Sequence, residues 1–495
     1  MKSPTFRLLF GGLLLFVLLR IIYSRLKRRS IIRQYGCKSI PRYPHRDRFF
    51  GIDLFLRYKK AFEERDFKGL NQRLFSTYGK VFECNFLGTR LIKTMNPDIT
   101  KYVHATYFDN FGVEKIRSGA EYLWGDGITV TEGERWAARR KLIKPAFDAV
   151  HISNLENRGL EKHVERLMEL LPRDGETVDL MPLFKRLSLD TASEFIFGES
   201  MDALLNPDAA KDFLDAFWYA QKGSGLRVHL LGKRLSFLHR DPKWYQSCDI
   251  AIKFLDERVD RAIDRVKQGK PTDRLIDQMA QASSDRLTLR SQMQNVFTPA
   301  HDGAAVTLSN IFFHLSRNPE AWAKLRAEIL PTAHLPITYD LLKSYNFLKN
   351  VVRETHRITP ISVLIQRQCI KPVVFPTGGG NDGMSPLYVD KDDIVEMNFA
   401  CIMKDSSYWG EDAEDFRPER WESLRPRPTW EYTPFGGGPR VCPGFRLVFA
   451  EVAYTLVTIL RKYKGLESRD DRPWTEDTRS TFQNLHGAKV ALMLA

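Results

Sequence analysis

Cys442 is the side chain here with the widest chemical reach. It ends the run Phe435-Gly436-Gly437-Gly438-Pro439-Arg440-Val441-Cys442 and is followed by Pro443 and Gly444. A thiolate is a nucleophile or a metal ligand, whereas a lone cysteine is more often a small buried hydrophobe. No second cysteine or histidine lies within chelating reach along the loop, which excludes a zinc knuckle. The glycines let backbone N–H groups approach the sulfur, and such donors favour the thiolate. Leu447, Val448, Phe449 and Ala450 read as the start of a buried helix, whose N-terminus favours the same anion. Arg440, two residues before the cysteine, suits a carboxylate on a flat ligand.

The pattern Phe435-x-x-Gly438-x-Arg440-x-Cys442-x-Gly444 resembles the haem-ligand loop of the cytochromes P450. The resemblance implies a haem b whose iron is bound by Cys442, with Phe435, Gly438, Arg440 and Gly444 around it. It also implies a fold that is mainly α with a small β subregion.

Other residues extend the likeness. Trp136 and Arg140 are four apart and share a helical face in a stretch that runs to Phe147. Taken alone they read as a packed tryptophan beside a solvated arginine. In the family such a pair meets the haem propionates, and Arg367 is a further propionate candidate. Thr288 is expected to cap a long helix ending near Ser316, kinked where Pro299 and Gly303 lie four apart. Small residues at 300, 303, 304 and 305 leave room for a flat cofactor. In the family this helix activates oxygen and carries an acid followed by a threonine. Asp302 matches the acid, but Gly303 stands where the threonine belongs. Thr307, one turn on, would need a bridging water to replace it. His301 reads as a packed histidine in preference to a base.

Glu354 and Arg357 are helical neighbours in a predicted helix from Thr338 to Arg357, and Arg420 follows in Phe416-Arg417-Pro418-Glu419-Arg420-Trp421. On residues alone the first two are a surface pair. The family resemblance implies a buried network of all three that locks the cysteine loop.

The elements that must position these residues can be outlined. The chain has 495 residues, 43% of them hydrophobic, which suffices for a substantial core. A net charge of +14 suits an anionic surface, lipid or acidic protein. With no zinc-finger or RNA-binding signature, nucleic acid is not expected as a partner. The six scattered cysteines form no CxxC and argue against a disulfide scaffold. Leu8 to Leu19 is an apolar run, followed by Arg25, Lys27, Arg28, Arg29 and Arg33, with no small-residue cleavage site. Residues 1–30 are therefore expected to be a single-pass anchor in the endoplasmic reticulum membrane, with the catalytic domain cytoplasmic. Residues 31–53, with Pro41 and Pro44, form a hinge, and residues 54–495 form one catalytic domain. Ala61–Tyr78 is predicted helical. Val81–Phe86 and Arg90–Thr94 form a hairpin. Val363–Ile365 and Pro386–Val389 are strands, Gly378–Gly380 is a loop, and Phe482–Lys489 carries a turn at Gly487, which the family places in the pocket roof.

Gly36-Cys37-Lys38, Gly125-Asp126-Gly127, Thr377-Gly378-Gly379-Gly380 and Phe416–Trp421 look most like the fungal branch that hydroxylates alkanes and fatty acids. The implied activity is a monooxygenase acting on a lipophilic substrate. Its electrons would come from NADPH through a separate NADPH–cytochrome P450 reductase, since no length follows Gly487 for a flavin module. Gly303 turns the expectation toward a tailoring step in fungal secondary metabolism. The alternatives are an oxygen-independent haem-thiolate isomerase or dehydratase, and a fatty-acid or alkane terminal hydroxylase.

Overall fold

Helical spacing of apolar residues dominates the middle of the chain, and period-two alternation is confined to short runs near residue 90, around residues 365–397 and at the end. The computed structural model describes residues 4–148, 159–208, 210–228, 236, 240–425, 427–478 and 481–495. Its longer helices are α1 (Pro4–Gln34), α2 (Ile52–Glu63), α3 (Phe67–Tyr78), α4 (Gly133–Ile143), α5 (Leu160–Leu170), α6 (Leu180–Phe197), α7 (Lys211–Leu226), α8 (Pro242–Lys267), α9 (Leu275–Ala282), α10 (Arg286–Leu315), α11 (Pro319–Ile329), α12 (Asn346–Ile358) and α13 (Phe445–Lys462). The strands are β1 (Val81–Phe86), β2 (Thr89–Thr94), β3 (Phe111–Gly112), β4 (Thr177–Asp179), β5 (Ile365–Cys369), β6 (Val373–Gly379), β7 (Ser385–Val389), β8 (Ile394–Met397), β9 (Tyr463–Ser468), β10 (Glu476–Thr478), β11 (Phe482–Asn484) and β12 (Lys489–Leu494). The expected mainly helical body with small sheets is what the chain adopts.

α10 is the axis of that body. It is buried on nearly every side, its polar residues such as Gln292, Asn295, Asp302 and Asn310 included, and α6, α8, α12 and α13 pack along it. The main sheet has the order β1-β2-β8-β5-β3. Leu87 and Gly88 both take positive φ, the turn that suits a tight hairpin, and so join β1 to β2. Smaller sheets pair β6 with β7, β10 with β11, and β12 with both β4 and β9. Residues 41–43, read as hinge, instead lie along β1: the Glu83 N–H donates to the Pro41 carbonyl and the Tyr43 N–H to the Glu83 carbonyl, each at 2.9 Å.

Several boundaries differ from expectation. The stretch Ala61–Tyr78 is two helices, parted by Arg65 in the left-handed region, and Glu476 caps α3 by accepting from the Phe67 and Lys68 N–H groups. The stretch Thr338–Arg357 also breaks, at Tyr345, because the Glu328 carboxylate accepts from Phe347 (2.8 Å) and Leu348 (3.0 Å) and starts α12 afresh. α10 is capped by Asp285, not Thr288, and its span includes Pro299. β5 starts at Ile365, so Val363 and Leu364 precede it. Gly378 and Gly379 belong to β6, where a Cβ on Gly379 would lie 2.3 Å from the Pro386 carbonyl oxygen.

The apolar run Leu8–Leu19 lies within α1, but the side chains of 4–11, 13, 14, 17 and 21 are outside the described residues, and with them much of the expected anchor. Among the described residues no helix is long and apolar enough to cross a membrane.

Glu354, Arg357 and Arg420 meet in the interior, each at most 2% exposed. Arg357 grips Glu354 with Nε and Nη2, both at 2.9 Å, and Arg420 Nε donates to the same carboxylate at 2.8 Å. Trp421 Nε1 and the Arg417 N–H add two more donors at 2.9 Å. The remaining guanidinium N–H groups of Arg357 reach the carbonyls of Met403, Ala413 and Asp415, in the segment that leads toward the cysteine loop. Removing one partner of such a network strands buried charge. Glu354→Gln should therefore cost about 3–5 kcal/mol, read as a lowered thermal midpoint and a reduced haem-to-protein ratio after purification.

Candidate active site

The cysteine loop is shaped by close backbone approach. Gly438 has φ +63°, and a Cβ there would lie 2.0 Å from the His104 carbonyl oxygen. The Cys442 N–H donates to the Phe435 carbonyl at 3.0 Å and closes the loop. Cys442 is half-buried, and its thiol borders a cavity of about 300 Å3. Burial pushes that thiol up from its ordinary range, while the Gly444 N–H, the Arg140 guanidinium and the Phe445 N–H pull it back.

α10 lines the cavity with Val296, Pro299, Ala300 and Ala304, and the residues after the cysteine supply Pro443, Leu447 and Val448. Trp136 and Arg140 of α4 also face it, as do Arg367 of β5 and Arg440. Arg117, which no sequence motif marks, is the fourth arginine there. It donates to the Thr129 carbonyl, and Arg440 donates to the Thr131 carbonyl at 2.6 Å while lying 4.8 Å over the Trp136 ring. Among the described residues none of these four guanidiniums is ion-paired with a carboxylate; Glu114 and Glu132 attract Arg440 only at longer range. Burial depresses all four. Arg117 and Arg440 fall to about 10, and Arg367, pressed by both as well, falls well below its ordinary value.

The α10 residues singled out from sequence do not all face this cavity. Ala300 and Ala304 line it; Asp302, Gly303 and Thr307 do not. Asp302 is fully buried and turned toward the chain's end, where Thr481 Oγ1 donates to Oδ2 and Lys185 Nζ stands 3.6 Å from Oδ1. Lys185 also donates to Gln483 at 2.7 Å. Neither Lys185 nor Thr481 carries a local sequence signal. A Cβ added at Gly303 would meet only Ile361 Cδ1, at 3.7 Å, so a side chain fits there. Thr307 Oγ1 donates to the Gly303 carbonyl at 2.8 Å and lies 3.2 Å from His356 Nε2. His301 is packed among Phe217, Trp218 and Phe297, with Nδ1 on the Phe297 carbonyl at 3.0 Å, and burial lowers its pKa.

The cavity thus offers one sulfur for a metal, apolar walls for a ring, and four guanidiniums with no ion-pair partner among the described residues. That donor set fits a haem. The iron would supply the positive charge that a buried thiol needs to ionise, and the two propionates would answer the arginines. A family model for cytochrome P450 matches residues 41–489. The chain is 37% identical over 475 residues to cytochrome P450 monooxygenase apdE of Emericella nidulans, covering 93% of this chain and 90% of that one. It is also 37% identical over 503 residues to cytochrome P450 monooxygenase iccC of Talaromyces variabilis, with 98% of each covered, and 35% identical over 491 residues to iliC of a Neonectria species, with 96% of each covered. The chain belongs to the cytochrome P450 family, whose members hold haem iron on a cysteine thiolate. Like these relatives it is a monooxygenase.

Two measurements follow from this geometry. In Cys442→Ser the reduced carbonyl complex should lose the thiolate-type red shift that the parent shows, as read by absorption spectroscopy. Glu451, on α13 at the cavity edge, is buried and accepts from Ser188 Oγ at 2.6 Å, and burial raises its carboxyl to about 7. Between the ordinary value of 4.5 and 7 the folded chain holds this proton and the unfolded chain does not, so stability falls as pH rises through that window. Glu451→Gln should lose less stability than the parent from about pH 5 to about pH 8, by roughly 1–3 kcal/mol in urea unfolding.

Proposed function

We propose that the protein inserts one atom of dioxygen into a C–H bond of a lipophilic substrate, as a tailoring step in fungal secondary metabolism. The observation that carries this reading is Cys442 beside an apolar cavity ringed by Arg117, Arg140, Arg367 and Arg440. In this reading Cys442 would hold a haem b, and Trp136, Arg140, Arg367 and Arg440 would meet its propionates. Phe435, Gly438 and Gly444 shape the loop, and Glu354, Arg357 and Arg420 hold that loop in place. When bound, the haem supplies the iron at which dioxygen is activated.

The chain's own share is positional. Val296, Pro299, Ala300 and Ala304 keep water from the reacting face. Asp302, the acid on α10, is held by Thr481 Oγ1 and by Lys185, whose Nζ stands 3.6 Å from its carboxylate. NADPH would supply electrons through a separate reductase docked on basic surface near the cysteine loop. Residues 1–30 would anchor the protein in the endoplasmic reticulum membrane with the catalytic body in the cytoplasm, the basic flank of α1 supporting that orientation.

A second reading, an oxygen-independent haem-thiolate isomerase or dehydratase, draws on one observation. Gly303 has no hydroxyl, and that of Thr307 is engaged with the Gly303 carbonyl and His356. Metabolite comparison in a reductase-containing host identifies the substrate. With it, purified protein and reductase should consume NADPH and oxygen together with product formation; turnover that consumes neither selects the second reading. In the first, Gly303→Thr should raise product per NADPH and lower peroxide release.

A further inference from the structure

We propose that His356 is a positioning residue that ties α10, above the cavity, to the cysteine loop. This rests on the reading of Cys442 as the haem ligand.

His356 lies in α12, between Glu354 and Arg357, and is 3% exposed. Its Nε2 is 3.2 Å from Thr307 Oγ1. The Thr307 hydroxyl has one proton, and it donates that proton to the Gly303 carbonyl at 2.8 Å. The hydrogen-bond pattern therefore assigns the Nε2–H tautomer to His356, donating to Thr307. Burial holds the imidazole neutral, with a pKa of about 4, so the ring keeps a single N–H and one orientation. On its other side the ring meets Phe435 edge to face, with centroids 5.1 Å apart and planes at 86°. The Phe435 carbonyl accepts the Cys442 N–H.

A continuous set of contacts thus runs from the Gly303 carbonyl through Thr307, His356 and Phe435 to Cys442. It joins the helix turn that borders the cavity to the residue that shapes the sulfur's surroundings. Hydrogen bonds and loop geometry around a haem thiolate set how strongly the sulfur donates to iron, and hence the reduction potential. His356 acts on that potential through Phe435, without touching haem or substrate.

The test uses full-length, haem-loaded protein. The parent must first show the thiolate-type reduced carbonyl spectrum; if it does not, the haem reading fails and this proposal falls with it, whereas a normal spectrum confines any later failure to the proposal. Reduction potentials are then measured for Thr307→Val, His356→Phe and the double variant. His356→Phe keeps a ring against Phe435 and removes only the bond to Thr307. Both single variants should shift the potential in the same direction, and the double variant should shift it no further than either single variant. His356→Leu, which removes the ring as well, should shift it more. Additive shifts would overturn the proposal, as would unchanged potentials with only a lowered melting temperature. If His356→Leu does not accumulate, the Thr307→Val and His356→Phe cycle decides alone.

Discussion

One carboxylate governs the path of the chain into its reactive loop. Glu354 accepts from two guanidiniums, an indole and a backbone N–H at full burial. A lone carboxylate there would be prohibitively desolvated, and either arginine alone equally so. Together they pass their charge outward as hydrogen bonds to the carbonyls of Met403, Trp409, Ala413 and Asp415. Trp409 ends the short helix Ser406–Trp409, and Met403, Ala413 and Asp415 lie in turns and bends outside any helix or sheet. The irregular segment that delivers Cys442 is thus ordered by charge-assisted bonds, with little contribution from regular secondary structure.

The cavity shows the opposite economy. Around Glu354 every donor has an acceptor, whereas around Cys442 burial opposes the protonation of four arginines, three of which, Arg117, Arg367 and Arg440, also crowd one another. A folded chain tolerates such a surplus when a ligand of opposite charge belongs there. A buried sulfur and a ring of cations make complementary demands, one for a cation and the other for anions. Haem meets both in one molecule.

The network was legible only through the family resemblance, since on residues alone Glu354 and Arg357 read as a surface pair and Arg420 lies 66 positions from Glu354. The loop was legible because Cys442 follows three glycines at fixed spacing. The hairpin at Leu87-Gly88 was legible for the same local reason. The breaks at Glu64–Asp66 and Tyr345 were not, since apolar periodicity runs across them and the capping carboxylates, Glu476 and Glu328, come from elsewhere in the chain. Asp302 was visible as a type, but its setting was not, because Thr481 lies 179 positions away. Arg117 was missed for want of any motif. Thr307 was read as a remote stand-in for the missing hydroxyl, a role its bond to the Gly303 carbonyl and its contact with His356 leave little room for.

The last residues of the chain are woven into the body. Leu494 donates its N–H to Asp174 at 2.6 Å, Ala495 to the Lys462 carbonyl at 3.1 Å, and β12 lies between β4 and β9. A few residues upstream, Thr481 holds the acid of the central helix. Affinity handles and reporter fusions placed at this end would pull on β12, the strand that follows Thr481 and β11 in the chain, and on its pairing with β4 and β9.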